Sequence, residues 1–159
     1  MSSNKANINS INQSDLVLEE ATVGGILRLT MNDMKRRNAL SEEMMAALTS
    51  AFYHAKLDSS VRVIVLAANG PAYSAGHDLK QITASRTPVD NGKAYFTEVL
   101  SNCSALMQLI VNHPKPIIAE VTGVATAAGC QLVASCDLAL ASESALFSTP
   151  GVHIGLFCS

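Results

Sequence analysis

Apolar residues recur along this chain in two rhythms, a short one of strands and a longer one of helices, and the two alternate in order. Leu16, Val17 and Leu18, then Gly24-Gly25, then Ile26, Leu27, Leu29 and Met31 predict two strands joined by a glycine turn, a β-hairpin. Asn32-Asp33 ends it. The loop with Lys35, Arg36, Arg37 and Asn38 leads to Ser41, a side chain suited to capping a helix, with Glu42 and Glu43 in the first turn. Met44, Leu48, Ala51, Phe52 and Ala55 recur at helical spacing, so a helix is expected to about Lys56, with His54 and Lys56 facing water. Val61, Val63, Ile64, Val65 and Leu66 predict a strand covered on both faces, apart from Arg62 near its start.

Phe96, Val99, Cys103, Leu106 and Ile110 step by three and four, which predicts a helix over 92–112, and His113-Pro114-Lys115-Pro116 stops it. Before it, 83–91 reads as a loop that could lie over a cleft. Ile117, Ile118 and Val121 carry the β-branched run of a covered strand. Leu138 to Ala141 and Ala145 to Phe147 predict two short strands, and Pro150-Gly151 opens another turn. Strand, strand, helix thus recurs roughly every forty residues. Residues 1–13, rich in Ser and Asn without apolar periodicity, are expected to form a disordered tail.

Composition narrows the class. A chain of 159 residues with 48% hydrophobic and 15% charged residues can bury one real core, which excludes disorder of the whole. A net charge of −2 and an isoelectric point near 6.0 provide no basic field, so no nucleic-acid partner is expected. No apolar run is long enough for a bilayer, and the N-terminus carries neither a signal-peptide apolar region nor the arginines of a mitochondrial transit peptide. A cytoplasmic, bacterial-type protein without a membrane partner is the expectation. Cys103, Cys130, Cys136 and Cys158 lack C-x-x-C spacing and sit among apolar or small residues, which predicts buried free thiols rather than disulfides or zinc ligands.

Candidate chemistry lies in two small-residue stretches. After the strand near Ile117, the residues Gly123, Ala125, Ala127, Ala128 and Gly129 leave backbone almost bare, and a helix follows. Unpartnered amides there make either an anion or oxyanion site near Ala128, Gly129 and Cys130, or a tightly packed strand-to-helix crossover with no ligand. A second stretch, Gly70 to Lys80, has the same character, and together the two could aim a pair of amides at one point. Asp78 suits a helix cap. Glu120 reads as a strand-end residue with a backbone or lysine partner, and Glu143 as a solvent-facing turn residue.

On Arg37-Asn-Ala-Leu40, Tyr73-Ser-Ala-Gly-His-Asp-Leu-Lys80, Lys115-Pro116 with Thr122-Gly-Val-Ala-Thr-Ala-Ala-Gly-Cys-Gln131, and Cys136-Asp137 before Phe147, the chain resembles the crotonase, or enoyl-CoA hydratase/isomerase, superfamily. The resemblance runs from about Asp15 to the C-terminus. It implies an α/β fold, a spiral of β-β-α turns, with 14–159 forming a partial acyl-CoA-binding core whose C-terminal helical region is absent. It implies a coenzyme A thioester as substrate without a separate cofactor or metal, and a homotrimer or dimer of trimers for a full-length form. The oxyanion donors map to the Ala75 and Ala128 amides, each of a kind that contributes about 3–4 kcal/mol to a barrier. Gly76, His77, Asp78, Lys80 and Arg37, with Arg36 beside it, map to substrate-contacting segments. The two glutamates of a hydratase correspond to Gln131 and Gly151, so water activation and proton delivery both lack a carboxylate, leaving Gln131 to orient a water. His77 reads either as a general base or as a hydrogen-bonded spacer. His153 would reach the same face as Gly151 if that segment were extended. Three readings stay open: an acyl-CoA hydratase or isomerase of fatty acid metabolism, a non-catalytic acyl-CoA-binding member, and a truncated product without a competent site.

Overall fold

The computed structural model describes residues 16–86 and 88–154, so the expected tail over 1–13 and Cys158 lie outside the described residues. The hairpin forms as predicted, β1 (Val17–Thr22) and β2 (Ile26–Met31) pairing antiparallel. Beyond it the chain repeats a unit in which two consecutive strands go to two different sheets. β3 (Val63–Ala68) is followed by β4 (Ala72–Ser74), β5 (Ile117–Val121) by β6 (Val124–Thr126), and β7 (Leu138–Ala141) by β8 (Leu146–Ser148). The first member of each pair extends a sheet of order β1-β2-β3-β5-β7, and the second builds a sheet β4-β6-β8. All pairings after the hairpin are parallel, which requires helical crossovers.

These crossovers are α1 (Glu42–Leu57), α2 (Leu79–Ala84), α3 (Lys93–Val111) and α4 (Ala128–Ala134). Ser41 accepts from the Met44 amide and starts α1; Asp78 accepts from the Lys80 and Gln81 amides and starts α2. α1 buries Met44, Leu48, Ala51, Phe52 and Ala55, as its spacing predicts, and His54 and Lys56 stay exposed. Its far end is tied down by His113 and Lys115. The His113 Nε2 lies 3.1 Å from the Phe52 carbonyl, and the Lys115 ammonium donates to the Ala55 and Asp58 carbonyls. The core lies between the inward face of the large sheet (Leu29, Ile64, Leu66, Ile117) and α1 with α3.

Two expectations change. β3 is covered fully on one face only, because Val63 and Val65 on the other are half-buried. The Pro150–Ile154 segment is a 3-10 helix rather than extended, so strand alternation does not bring His153 to the face of Gly151, and His153 is exposed. Among the described residues no helix is long and apolar enough to cross a membrane.

Candidate functional site

β4 ends in a turn whose geometry depends on glycine. Gly76 has φ +79°, a left-handed conformation that costs any residue with a Cβ. A Cβ built there would stand 3.0 Å from Ala127 Cβ and 3.2 Å from the Ala128 nitrogen. On the other side, a Cβ on Gly129 would meet the Ser74 carbonyl oxygen at 2.4 Å. The two small-residue stretches therefore touch backbone to backbone, and the start of α4 lies against the end of β4.

Peptide geometry then decides which amides are free. The Leu40 N–H donates to the Gly76 carbonyl at 2.7 Å. Because that peptide unit is planar and trans, the His77 N–H points the opposite way, away from Leu40. It has no hydrogen-bond partner among the described residues. Neither has the Ala128 N–H, which opens α4 where no preceding helical carbonyl exists. With only seven residues in α4, the individual amide matters more than any summed helix dipole.

One expected donor has to be corrected. The Ala75 N–H is already committed, donating to the Arg37 carbonyl at 3.0 Å, so it cannot serve an incoming oxygen. The free amide sits two residues further on, at His77. Nothing in the residue types marks it, since every residue but proline has such an amide; only the hydrogen bonding of the turn singles it out.

The side chains divide into engaged and unengaged groups. Asp78 is buried and spends Oδ1 on capping α2. Arg36 is held by Asp33 at 2.5 Å, with Glu43 at 3.7 Å and Asp78 at 3.6 Å, which withdraws it from ligand contact. Arg37 and Lys80 are exposed and carry no ion pair among the described residues. Glu120 pairs with Arg28 across the large sheet rather than with a lysine, at 2.5 and 2.9 Å, and this pairing lowers its pKa. Glu143 is exposed as expected. Gln131 is half-buried and its amide side chain bonds to no described residue. The His77 ring is half-buried, its Nε2 is enclosed without a partner among the described residues, and burial pushes its pKa below the usual imidazole value, keeping the ring neutral near pH 7. No cluster of three metal-ligating side chains occurs among the described residues.

A cleft of about 220 Å³ opens along this region, lined by Arg37, Pro71, Ala72, Ala75, Val124 and Thr126. Its size suits one end of a ligand rather than the whole of a large one. A larger groove of about 430 Å³ between α1 and α3 is lined by Met45, Thr49, Asn102 and neighbours, and neither His77 nor Ala128 is among the lining residues of either one.

Comparison with known proteins identifies the family. Residues 21–159 match the family model described as enoyl-CoA hydratase/isomerase. The rat protein named "Enoyl-CoA hydratase domain-containing protein 3, mitochondrial" is 50% identical over 135 residues, 85% of this chain and 43% of its own length. The human protein of the same name is 48% identical over the same shares. The crystal structure of an enoyl-CoA hydratase from Mycobacterium smegmatis superposes with a TM-score of 0.81 at 46% identity, covering 91% of this chain and 54% of that one. Human enoyl-CoA hydratase domain-containing protein 3 does so with 0.81 at 45%, covering 91% and 55%. The chain thus spans about half the length of the relatives it matches. Their names overturn the expectation of a cytoplasmic protein, since the rat, mouse and human relatives are all called mitochondrial. With a family match over residues 21–159 and a spiral of strand pairs that superposes on a solved enoyl-CoA hydratase, the chain belongs to the enoyl-CoA hydratase/isomerase, or crotonase, family.

Proposed function

We propose that this chain binds the thioester end of an acyl-CoA and stabilises negative charge on its carbonyl oxygen through the backbone N–H groups of His77 and Ala128. The observation that carries this reading is the pair of unpartnered amides on two turns that touch at Gly76 and Gly129. Aimed donors in a site that excludes water contribute about 3–4 kcal/mol each to a barrier in which an oxyanion forms. Arg37 on the cleft wall and Lys80 at the start of α2 supply cations for the phosphate end of the coenzyme. Gln131 and Gly151 leave both proton-handling positions of a hydratase without a carboxylate, so hydration of an enoyl-CoA is slow and enolate stabilisation is the favoured chemistry.

A second reading, binding without catalysis, is favoured by that same missing pair. Calorimetry with butyryl-CoA against butyrate, together with the ¹³C resonance of a labelled thioester carbonyl, separates the two. Both readings expect the CoA ester to bind more tightly than the free acid, and charge stabilisation adds a downfield move of the carbonyl resonance. Equal affinity for ester and acid would overturn both. The names of the rat, mouse and human relatives support a mitochondrial setting, which organelle fractionation tests. Assembly into trimers rests on family membership and is read by light scattering.

A further inference from the structure

A buried hydrogen-bond network that the oxyanion reading does not use reaches the turn that carries the His77 amide. Ser74 has no exposed surface. Its hydroxyl donates to the Asn38 carbonyl at 2.8 Å and accepts from the Gly76 N–H at 3.3 Å. Asn38 is equally buried and fully occupied. Its Oδ1 accepts from the Asp33 N–H at 2.8 Å, and its Nδ2 donates to the Asn69 and Ala72 carbonyls at 2.9 and 2.8 Å. Arg37 and Asn38 both have positive φ, 54° and 50°, a conformation that persists only where surrounding bonds over-determine it. The strained loop is thus anchored to β4 twice, by the Asn38 side chain at the Ala72 carbonyl and by the Ser74 hydroxyl at the Asn38 carbonyl.

We infer that Ser74 is a positioning residue: its hydroxyl, braced on the Asn38 carbonyl, holds the peptide that precedes Gly76, and together with the Leu40 bond to the Gly76 carbonyl it keeps the His77 N–H toward the thioester oxygen. Gly76 is the one freely rotating residue in this turn, because it lacks a Cβ. Its N–H is held by Ser74 and its carbonyl by Leu40, at 3.3 and 2.7 Å. Remove the hydroxyl and the N–H side of that clamp opens, while the Asn38 carbonyl also loses a donor inside the core. The Gly129 contact with the Ser74 backbone carbonyl remains, so the two turns stay in touch while the aim of the amide loosens.

This inference rests on the oxyanion reading, and the test separates the two. Butyryl-CoA labelled with ¹³C at its carbonyl is titrated into the unaltered chain and into Ser74→Ala. The unaltered chain moves the resonance downfield. Ser74→Ala loses at least half of that displacement, while calorimetry shows affinity reduced by less than about tenfold, the net worth of one hydrogen bond. A purely structural role would lower the melting temperature and leave the displacement of the folded fraction unchanged, which would overturn the inference. No displacement in the unaltered chain would overturn the oxyanion reading and this inference with it. If Ser74→Ala fails to fold, Ser74→Cys keeps the site filled with a weaker donor and acceptor. An intermediate displacement supports positioning, and a full one overturns it.

Discussion

Gly129→Ala is the substitution that tests most directly whether backbone contact builds the site. An added Cβ would lie 2.4 Å from the Ser74 carbonyl oxygen, 2.9 Å from Ser74 Cβ and 3.0 Å from the Ser74 carbonyl carbon. Two of those three atoms are main chain, so α4 must retreat from β4. Overpacking of this kind costs up to about 3 kcal/mol. Alanine returns about 1 kcal/mol through its better helix propensity. The net loss is therefore about 2 kcal/mol, and for a domain of this size it lowers the melting temperature by about 4–8 °C. The functional loss should exceed the structural one, since a misplacement of about 1 Å costs on the order of 10²-fold in a positioned reaction. Thermal melts followed by circular dichroism read the first quantity, and the ¹³C carbonyl displacement of bound butyryl-CoA reads the second. Gly24→Ala is the control: a Cβ there meets nothing within 4 Å, and only the φ of +91° costs energy, about 1–2 kcal/mol, with no change in carbonyl displacement. If Gly129→Ala melts within 1 °C of the parent, by the scale of about 2–4 °C per kcal/mol, and keeps the full displacement, the backbone-contact argument is refuted.

Three further outcomes are expected. Crotonyl-CoA hydration should rise more in Gln131→Glu with Gly151→Glu than the product of the single effects, since one carboxylate activates water and the other moves the proton; steady-state kinetics showing a simple product would count against coupled roles. His77 is neutral in the folded chain below the usual 6.5, whereas the unfolded chain takes up its proton there, so stability present above pH 6.5 declines as pH falls through the lowered folded value. Urea titrations across that window should show a shallower pH dependence in His77→Gln, and an unchanged slope would show that the ring does not titrate this way. Burial pushes the Cys136 thiol up to about 12 from an ordinary 9.0, so its thiolate population at pH 8 is about 10³-fold below that of a free thiol. Iodoacetamide labelling of the folded chain should be slow at Cys136 by that order, and rapid labelling at native conditions would contradict it.

What the sequence by itself determined is whatever one element can specify alone. The caps at Ser41 and Asp78, the buried stripe of α1 from Met44 to Ala55, the hairpin at Gly24-Gly25 and the end of α3 at His113-Pro114 follow from side-chain chemistry and spacing within a few residues, and all are found in place. The family, and Ala128 at the head of α4, were legible for the same reason, because small residues in fixed order leave a local mark. Which amide of the other turn stays unbonded was not. Ala75 and His77 both carry an N–H, and the choice between them depends on Arg37 and Leu40, residues 38 and 37 positions earlier, which bond to this turn only after the sheets have formed. Arg36 read as a free cation until Asp33, Glu43 and Asp78 closed around it, and Glu120 found Arg28 only because parallel strands bring residues 92 apart in sequence onto one face. Side-chain identity is local information, whereas which backbone groups remain unbonded is a property of the whole hydrogen-bond network, and that network exists only in the folded chain.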